Sequence, residues 1–280
     1  KMLSGDFTEL LPAEAIYDPL TYDAKTKTRQ PFAGNIIPRS RFDPISAKLA
    51  GFYPAPNKPG LTQNFLFNPP DKMDRDRFDV KIDHTFGSRD NLSGRYSYQR
   101  DFEPNSPSIP PPGFGGGDNA SDFTHTGQNL MLGYNHIFSP SFIMSSKIAW
   151  NRIFTDREPP VDTVFNRELG LRGVDTSRPG MAAFNLSGYT GLGIGSYVPN
   201  LVDSQIRQLI SDFTWIRGKH SVKFGVNLSW LQSYLFNPQQ ALGVFSFDGS
   251  YTRNTKTLQE GDAAADFLLG YPYQAQTSNH

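Results

Sequence analysis

Apolar and polar residues alternate along "RFDVKIDHTFGSRDNLSGRYSYQRDF", residues 77–102. Phe78, Val80, Ile82 and Phe86 share one parity, while Asp79, Lys81 and Asp83 take the other. After a short polar turn, Leu92, Gly94, Tyr96 and Tyr98 stand against Ser93, Arg95, Ser97 and Gln99. A period of two puts successive side chains on opposite faces of a β-strand, and two such runs around a turn predict a hairpin. The pattern then recurs. At about 123–138, Leu130, Leu132, Tyr134 and Phe138 oppose Asn129, Gly133 and Asn135. At about 141–154, Phe142, Met144, Ile148 and Trp150 oppose Ser145, Lys147 and Asn151. At about 205–216, Leu209, Phe213 and Trp215 oppose Gln208, Asp212 and Thr214. The cleanest run is 221–234, with Val222, Phe224, Val226, Leu228 and Trp230 against Ser221, Lys223, Gly225, Asn227 and Ser229. A seventh strand is expected to begin near "GVFSFDGSY", 243–251.

The connections alternate in length. "GSRDN", Ser139-Pro140 and "RGKH" close three tight turns, whereas 103–122, 155–204 and 235–280 are long. Ahead of the strands, residues 1–76 carry turn signals throughout, among them Asp18-Pro19, "YPAPNKPG" and Pro69-Pro70. Asp43 followed by Pro44 has the chemistry of an N-cap and first helical residue, so "DPISAKLAGF" predicts a short helix. The remainder of 1–76 reads as a long, folded-back loop with short helical turns. The chain thus divides into 1–76, a long extracellular loop, and 77–280, strands in hairpins with long loops at 103–122, 155–204 and 235–280.

Alternation alone does not say what the apolar face touches, because a soluble antiparallel sheet with one wet face alternates too. Three features favour lipid. The strands run longer than the usual five or so residues and reach the 9–11 that a tilted membrane strand needs. Short turns gather at one end of the sheet and long loops at the other, as in outer-membrane barrels. Large aromatics of the apolar parity sit near strand ends: Phe86, Phe138 and Phe142 by the short turns, Tyr98, Trp150, Trp230 and Tyr234 toward the long loops. The expected fold is therefore all-β: an antiparallel transmembrane β-barrel segment of six to eight strands, an open curved sheet when alone. The lipid-facing and girdle set is Phe78, Val80, Ile82, Phe86, Tyr96, Tyr98, Phe138, Phe142, Trp150, Trp215, Phe224 and Trp230. The lumen-facing set is Asp79, Lys81, Asp83, Arg95, Lys147, Asp212, Lys223 and Asn227.

Composition narrows the functional classes. Lys+Arg and Asp+Glu both number 27, so the chain lacks the basic excess of a nucleic-acid binder. It has no cysteine, which removes disulfide scaffolds, thiolate metal sites and Cys nucleophiles. No run approaches 18 apolar residues, so no transmembrane helix is expected; a strand, with only every second residue toward lipid, escapes that test. The chain opens at Lys1 with no apolar run behind a basic start, so no signal peptide is expected within it and the natural start is expected to have been removed.

The loop text adds a resemblance. "GDFTELLPAEAIYDPLTYDAKTKTRQPFAGNIIPRSRFDPISAKLAGFYPAPN" (5–57), "DVKIDHTFGSRDNLSGRYSY" (79–98), "DFTWIRGKHSVKFGVNLSWLQ" (212–232) and "GDAAADFLLGYP" (261–272) occur in this order. Together they resemble the Oar-like TonB-dependent transporters abundant in Acidobacteria, over nearly the whole chain. The resemblance implies an outer-membrane location, a barrel of about 22 strands, and active passage of a bulky solute driven through TonB acting on a plug domain. The plug, the TonB-contacting segment, the N-terminal carboxypeptidase-regulatory-like domain and the last strands of that family have no counterpart here, so the chain is expected to be an internal piece of such a barrel. Its expected partners are outer-membrane lipid, the TonB system through the missing plug, and an unidentified solute, with no nucleic acid.

Other motifs carry less. "PPPGFGGGDN" (110–119) and "GYTGLGIGSY" (188–197) lack the strand, helix and Lys-Ser/Thr of a phosphate loop. His84, His125, His136, His220 and His280 form no spaced pair suited to zinc. Asp71, Asp74, Asp76 and Asp79 alternate with Lys72, Arg75 and Arg77, a solvated charge run rather than a calcium loop. No enzymatic constellation, cofactor site or metal site is expected. Solute contact is expected from loop aromatics: Tyr17, Tyr22, Phe32, Phe52, Tyr53, Phe65, Phe67, Phe114, Phe165, Tyr189 and Tyr197. A non-transporting surface binder or adhesin and a soluble β-sandwich carbohydrate-binding module are the alternative readings.

Overall fold

The computed structural model describes residues 1–115, 117 and 120–278; His280 and part of the 110–119 glycine-rich run lie outside them. Six long strands make one antiparallel sheet: β1 (Asp74–Phe86), β2 (Asp90–Glu103), β3 (Asp122–Ser139), β4 (Phe142–Glu158), β6 (Asn200–Arg217) and β7 (His220–Phe236). They lie in the order β1-β2-β3-β4-β6-β7, a meander in which every neighbour in space is the next long strand in sequence. The 3.3 Å rise per residue makes the 17 residues of β7 about 55 Å long. The register runs unbroken except for one irregularity between Ile137 and Ser139, beside the β3–β4 turn. Gly87 and Gly218 take φ of 64° and 60° in their turns, a backbone that glycine adopts without steric cost.

The outer edges of β1 and β7 have no partner strand among the described residues. Every residue of β1 is exposed, as is all of β7 except Phe236. The sheet is open.

The four segments outside this sheet build a second body at its long-loop end. Residues from 1–73, 104–121, 159–199 and 237–278 share one hydrophobic core, which includes Phe7, Ile16, Ile37, Leu49, Phe114, Met181, Phe184, Leu192, Phe247 and Phe267. Its elements are short: α1 (Pro44–Ala50), α2 (Phe165–Leu169), α3 (Ala263–Leu269) and a small sheet of β5 (Ala183–Leu186), β8 (Val244–Phe247) and β9 (Gln274–Gln276). Asp43 caps α1 by accepting from the backbone N–H of Ile45 and Ser46, with Pro44 in the first turn. The stretch expected to begin a seventh barrel strand is instead β8, which pairs in parallel with β5. Its Val244 and Phe247 are buried in the loop body, where Phe247 meets Phe267 edge to face at 5.4 Å. Pro238, two residues past β7, cannot donate to a ladder and follows the point where the chain leaves the sheet.

This body, hereafter the cap, is held by polar cross-links as well as packing. Asn35 donates to the carbonyls of Phe7 and Glu14 and accepts from the Ile16 N–H. Asn166 donates to the carbonyls of Asp175 and Leu242 and accepts from Ala182. Each ties together turns that have no ladder of their own, so their backbone groups are satisfied without regular structure. Gly5 is needed at one such crossing: at φ 87°, a Cβ there would stand 2.4 Å from the Ile37 carbonyl oxygen.

Candidate functional site

The register sorts the long strands into two faces. On the first, Ile82, Gly94, Leu132, Ile148, Leu209 and Leu228 form one row across all six strands. Toward the short turns the face becomes aromatic. Phe138 stacks on Phe142 at 5.0 Å, Phe142 on Phe213 at 6.0 Å and Phe213 on Phe224 at 5.4 Å, with His84 against Phe86 and His136 against Phe138. Toward the long loops it becomes aromatic again. Phe78 packs between Tyr96 and Tyr98, and Trp150 and Trp230 share a row. All twelve residues of the expected lipid-facing set lie on this face. On β7 the band from Val222 to Trp230 covers nine residues, about 26 Å along the strand, which is the span of a membrane strand. One row further, Gln128, Arg152, Gln205 and Gln232 replace it with polar groups. Two serines interrupt the apolar band, Ser146 and Ser211, and they bond each other at 2.9 Å.

The second face carries all eight residues of the expected lumen-facing set. Asp83, Lys147 and Asn227 share one row and Lys81 and Arg95 another. On β1 and β2 the charges of this face pair: Arg95 with Asp79 at 3.0 Å, Lys81 with Asp83 at 2.7 Å, and Arg75 with Asp101 through two bonds of 2.7 and 2.9 Å. Asn129 and Asn151 bond across β3 and β4. The polar pattern fails toward β7. There Ile153, Ile206, Leu231 and Leu235 stand exposed on the same face, Leu231 at 72%. Reading each strand for its dominant parity hides this group, because β6 mixes apolar residues into both parities. A hollow of about 410 Å³ touches Asp212, Lys223 and Asn227 together with Phe224 and Val226. Five of its seven lining residues, Ile210, Asp212, Lys223, Gly225 and Asn227, belong to this face, so the hollow is an open depression in it that encloses nothing.

The cap corrects the expectation about loop aromatics. Phe32 and Phe114 are buried in its core, and Phe52, Tyr53, Phe65, Phe165 and Tyr189 pack against that core. Phe114 and Phe52 both meet Phe165 edge to face, at 6.3 and 6.1 Å. These rings hold the cap together, and a core ring is not free to touch a solute; Tyr22 and Tyr197 are the two that stand about half exposed. The buried acids of the cap were not singled out from sequence. Asp262 caps α3, and the Tyr189 hydroxyl donates to its carboxylate at 2.6 Å. Asp266 accepts from the Thr252 hydroxyl at 2.7 Å and the Tyr251 N–H at 3.1 Å. Burial pushes the Asp266 carboxyl up to about 6 and raises those of Asp262 and Glu14. Asp18, in contrast, is held below the usual carboxylate range by its two-pronged bond to Arg41. Among the described residues, no three His, Asp or Glu side chains gather as a metal site.

An open antiparallel meander with one apolar face, bounded at a membrane's depth by aromatic rows, and a charged opposite face defines a class: the wall of a membrane β-barrel. Among the described residues no helix is long and apolar enough to cross a membrane, and the long strands are the elements of spanning length. The chain belongs to the outer membrane beta barrel domain family, whose model matches residues 1–280, and its place is accordingly the outer membrane. No curated protein and no solved structure matches it.

Proposed function

We propose that this chain is part of the wall of an Oar-like, TonB-dependent transporter that moves a bulky solute across the bacterial outer membrane, without covalent chemistry of its own. The observation that carries the reading is the charged face. Barrels of about eight strands fill their interior with side chains, yet here the charges of β1 and β2 on this face pair sideways within the wall, and every residue of β1 stays solvent-accessible. Such a wall suits a wide, wet lumen closed by further strands against the free edges of β1 and β7. The four motifs shared with Oar-like transporters support the same reading. In it the apolar face touches lipid, the polar face lines the lumen, the cap stands outside the cell, and energy comes from TonB through a plug domain.

A second reading is a surface binder that displays the cap without transport. The cap's own hydrophobic core favours it, since a folded extracellular body can recognise a partner by itself.

Two measurements test these readings in the full-length protein that carries the chain. Fluorophores on Ile82→Cys and Lys81→Cys, in bilayers with nitroxide lipid, are expected to show strong quenching at 82 and little at 81. Equal, weak quenching at both positions would remove the lipid-facing assignment. Photo-crosslinking in cells is expected to yield an adduct with TonB that requires the proton gradient. A protein that presents its cap at the cell surface yet never cross-links to TonB would be a display barrel.

A further inference from the structure

We propose that Arg207, flanked by Trp150 and Trp230, forms a site for the phosphate of an anionic membrane lipid at the long-loop boundary of the apolar band. The inference rests on the lipid-facing reading of that face and goes beyond it by naming a site and its ligand class.

Register sets the position. Arg207 pairs with Trp150 on β4 and with Trp230 on β7, so one cation stands in a row whose other members are Val80, Tyr96 and Leu130. The row on the short-turn side is entirely apolar apart from Gly94, and the row on the long-loop side is polar from Gln128 to Gln232. Arg207 therefore sits where hydrocarbon gives way to headgroups. A basic side chain on the lipid face is costly at mid-depth and nearly free at this boundary. Tryptophan prefers the same depth, and Trp230 is 58% exposed on this face.

The second observation is the missing counter-ion. Arg152, the neighbouring arginine of this face, makes two bonds of 2.9 and 2.7 Å to Asp203. Arg75 and Arg95 are likewise paired with carboxylates. Among the described residues, Arg207 meets no carboxylate within ion-pairing distance. It touches amide oxygens only, Gln205 Oε1 from Nη2 at 3.2 Å and Gln232 Oε1 from Nη1 at 3.4 Å. The Trp150 indole N–H donates to the same Gln205 oxygen at 3.2 Å. These contacts aim the guanidinium without neutralising it. Its planar fork matches a phosphate, and a headgroup at this depth brings one on an acyl anchor. A phosphate not already balanced by an ammonium of its own gains most, so phosphatidylglycerol-like headgroups are favoured over phosphatidylcholine.

The test uses the full-length protein with a fluorophore on Leu228→Cys, on the same face and one row below Trp230. It is reconstituted in phosphatidylcholine vesicles holding a small, equal fraction of either nitroxide-phosphatidylcholine or nitroxide-phosphatidylglycerol. Quenching by the nitroxide-phosphatidylcholine reports membrane contact, and its absence would overturn the lipid-facing reading itself. Given contact, phosphatidylglycerol is expected to be enriched about fivefold, the factor typical of one basic residue at a charged membrane surface. Arg207→Gln should bring that ratio to about one while the phosphatidylcholine arm stays unchanged, which shows that the variant is folded and inserted. Arg207→Lys should keep part of the enrichment, and Arg217→Gln, at the other end of β6, all of it. A ratio of one in the unmodified protein, or an undiminished ratio in Arg207→Gln, overturns the proposal. Excess inorganic phosphate should leave the enrichment intact; if it abolishes it, the ligand is a soluble phosphate and the lipid assignment falls.

Discussion

Asp266 is a carboxyl with no solvent exposure, set within the cap. Its two acceptor oxygens are satisfied by Thr252 and Tyr251, but burial dominates and raises its pKa to about 6. An unfolded aspartate titrates near 3.9, so between about pH 4 and 6 the folded cap binds a proton that the unfolded chain has released. Linkage then requires cap stability to fall as pH rises through that window and to level off above it, a total of about 3 kcal/mol. Asp262 and Glu14, also raised by burial, act in the same direction. Hydrogen exchange at the α3 amides, corrected for intrinsic rates, is expected to lose about 30-fold protection from about pH 4 to 6 and about 100-fold over the whole titration from about pH 3 to 7. In Asp266→Asn only the smaller slope of Asp262 and Glu14 should remain. An unchanged slope in that variant would place the titration elsewhere.

At the scale of elements, the long strands were legible because a period of two needs no tertiary partner to be seen. All three hairpin turns and the two faces followed from it, with strand ends extended by one to five residues where the cap meets the sheet. α1 was legible for another reason, since Asp43-Pro44 is local capping chemistry. The cap as a body was not. Its strands are three or four residues long and its core joins segments more than 200 residues apart, as when Phe7 and Phe267 enter one cluster. α3 shows the limit most clearly. All seven of its residues are buried, so "AAADFLL" has no polar face to betray a helical period. Its three alanines allow close approach, and Gly270 ends it in the left-handed region at φ 74°. Phe267 supplies the bulk, edge to face with Phe184 and Phe247. Phe267→Ala is expected to cost the cap about 3–5 kcal/mol. Limited proteolysis of the reconstituted protein should then cut within 237–280 while the membrane strands stay protected. Phe224→Ala, on the exposed apolar face, should leave the cap as resistant as before; equal cutting in both variants would deny α3 its central place.

For the molecule as a whole, the sheet leaves two different surfaces unsatisfied, and detergent distinguishes them. The apolar face lacks a hydrocarbon cover, which a micelle supplies. The edges of β1 and β7 lack hydrogen-bond partners, which no micelle supplies and which are costly to leave open in an apolar phase. The 280-residue chain expressed alone is therefore expected to form large aggregates in buffer, seen as fast, broad boundaries in sedimentation velocity. In a mild detergent these should resolve into small discrete oligomers joined edge to edge, still short of a monomer. If further strands of a longer protein close this sheet into a barrel, the same detergent should give a single species of that protein. A monomer in plain buffer would mean that the apolar face is covered from within the chain and that the sheet is not a membrane wall. A monomer only in detergent would keep the membrane face and mean that the two edges find each other, closing six strands into a barrel too narrow for the lumen that transport needs.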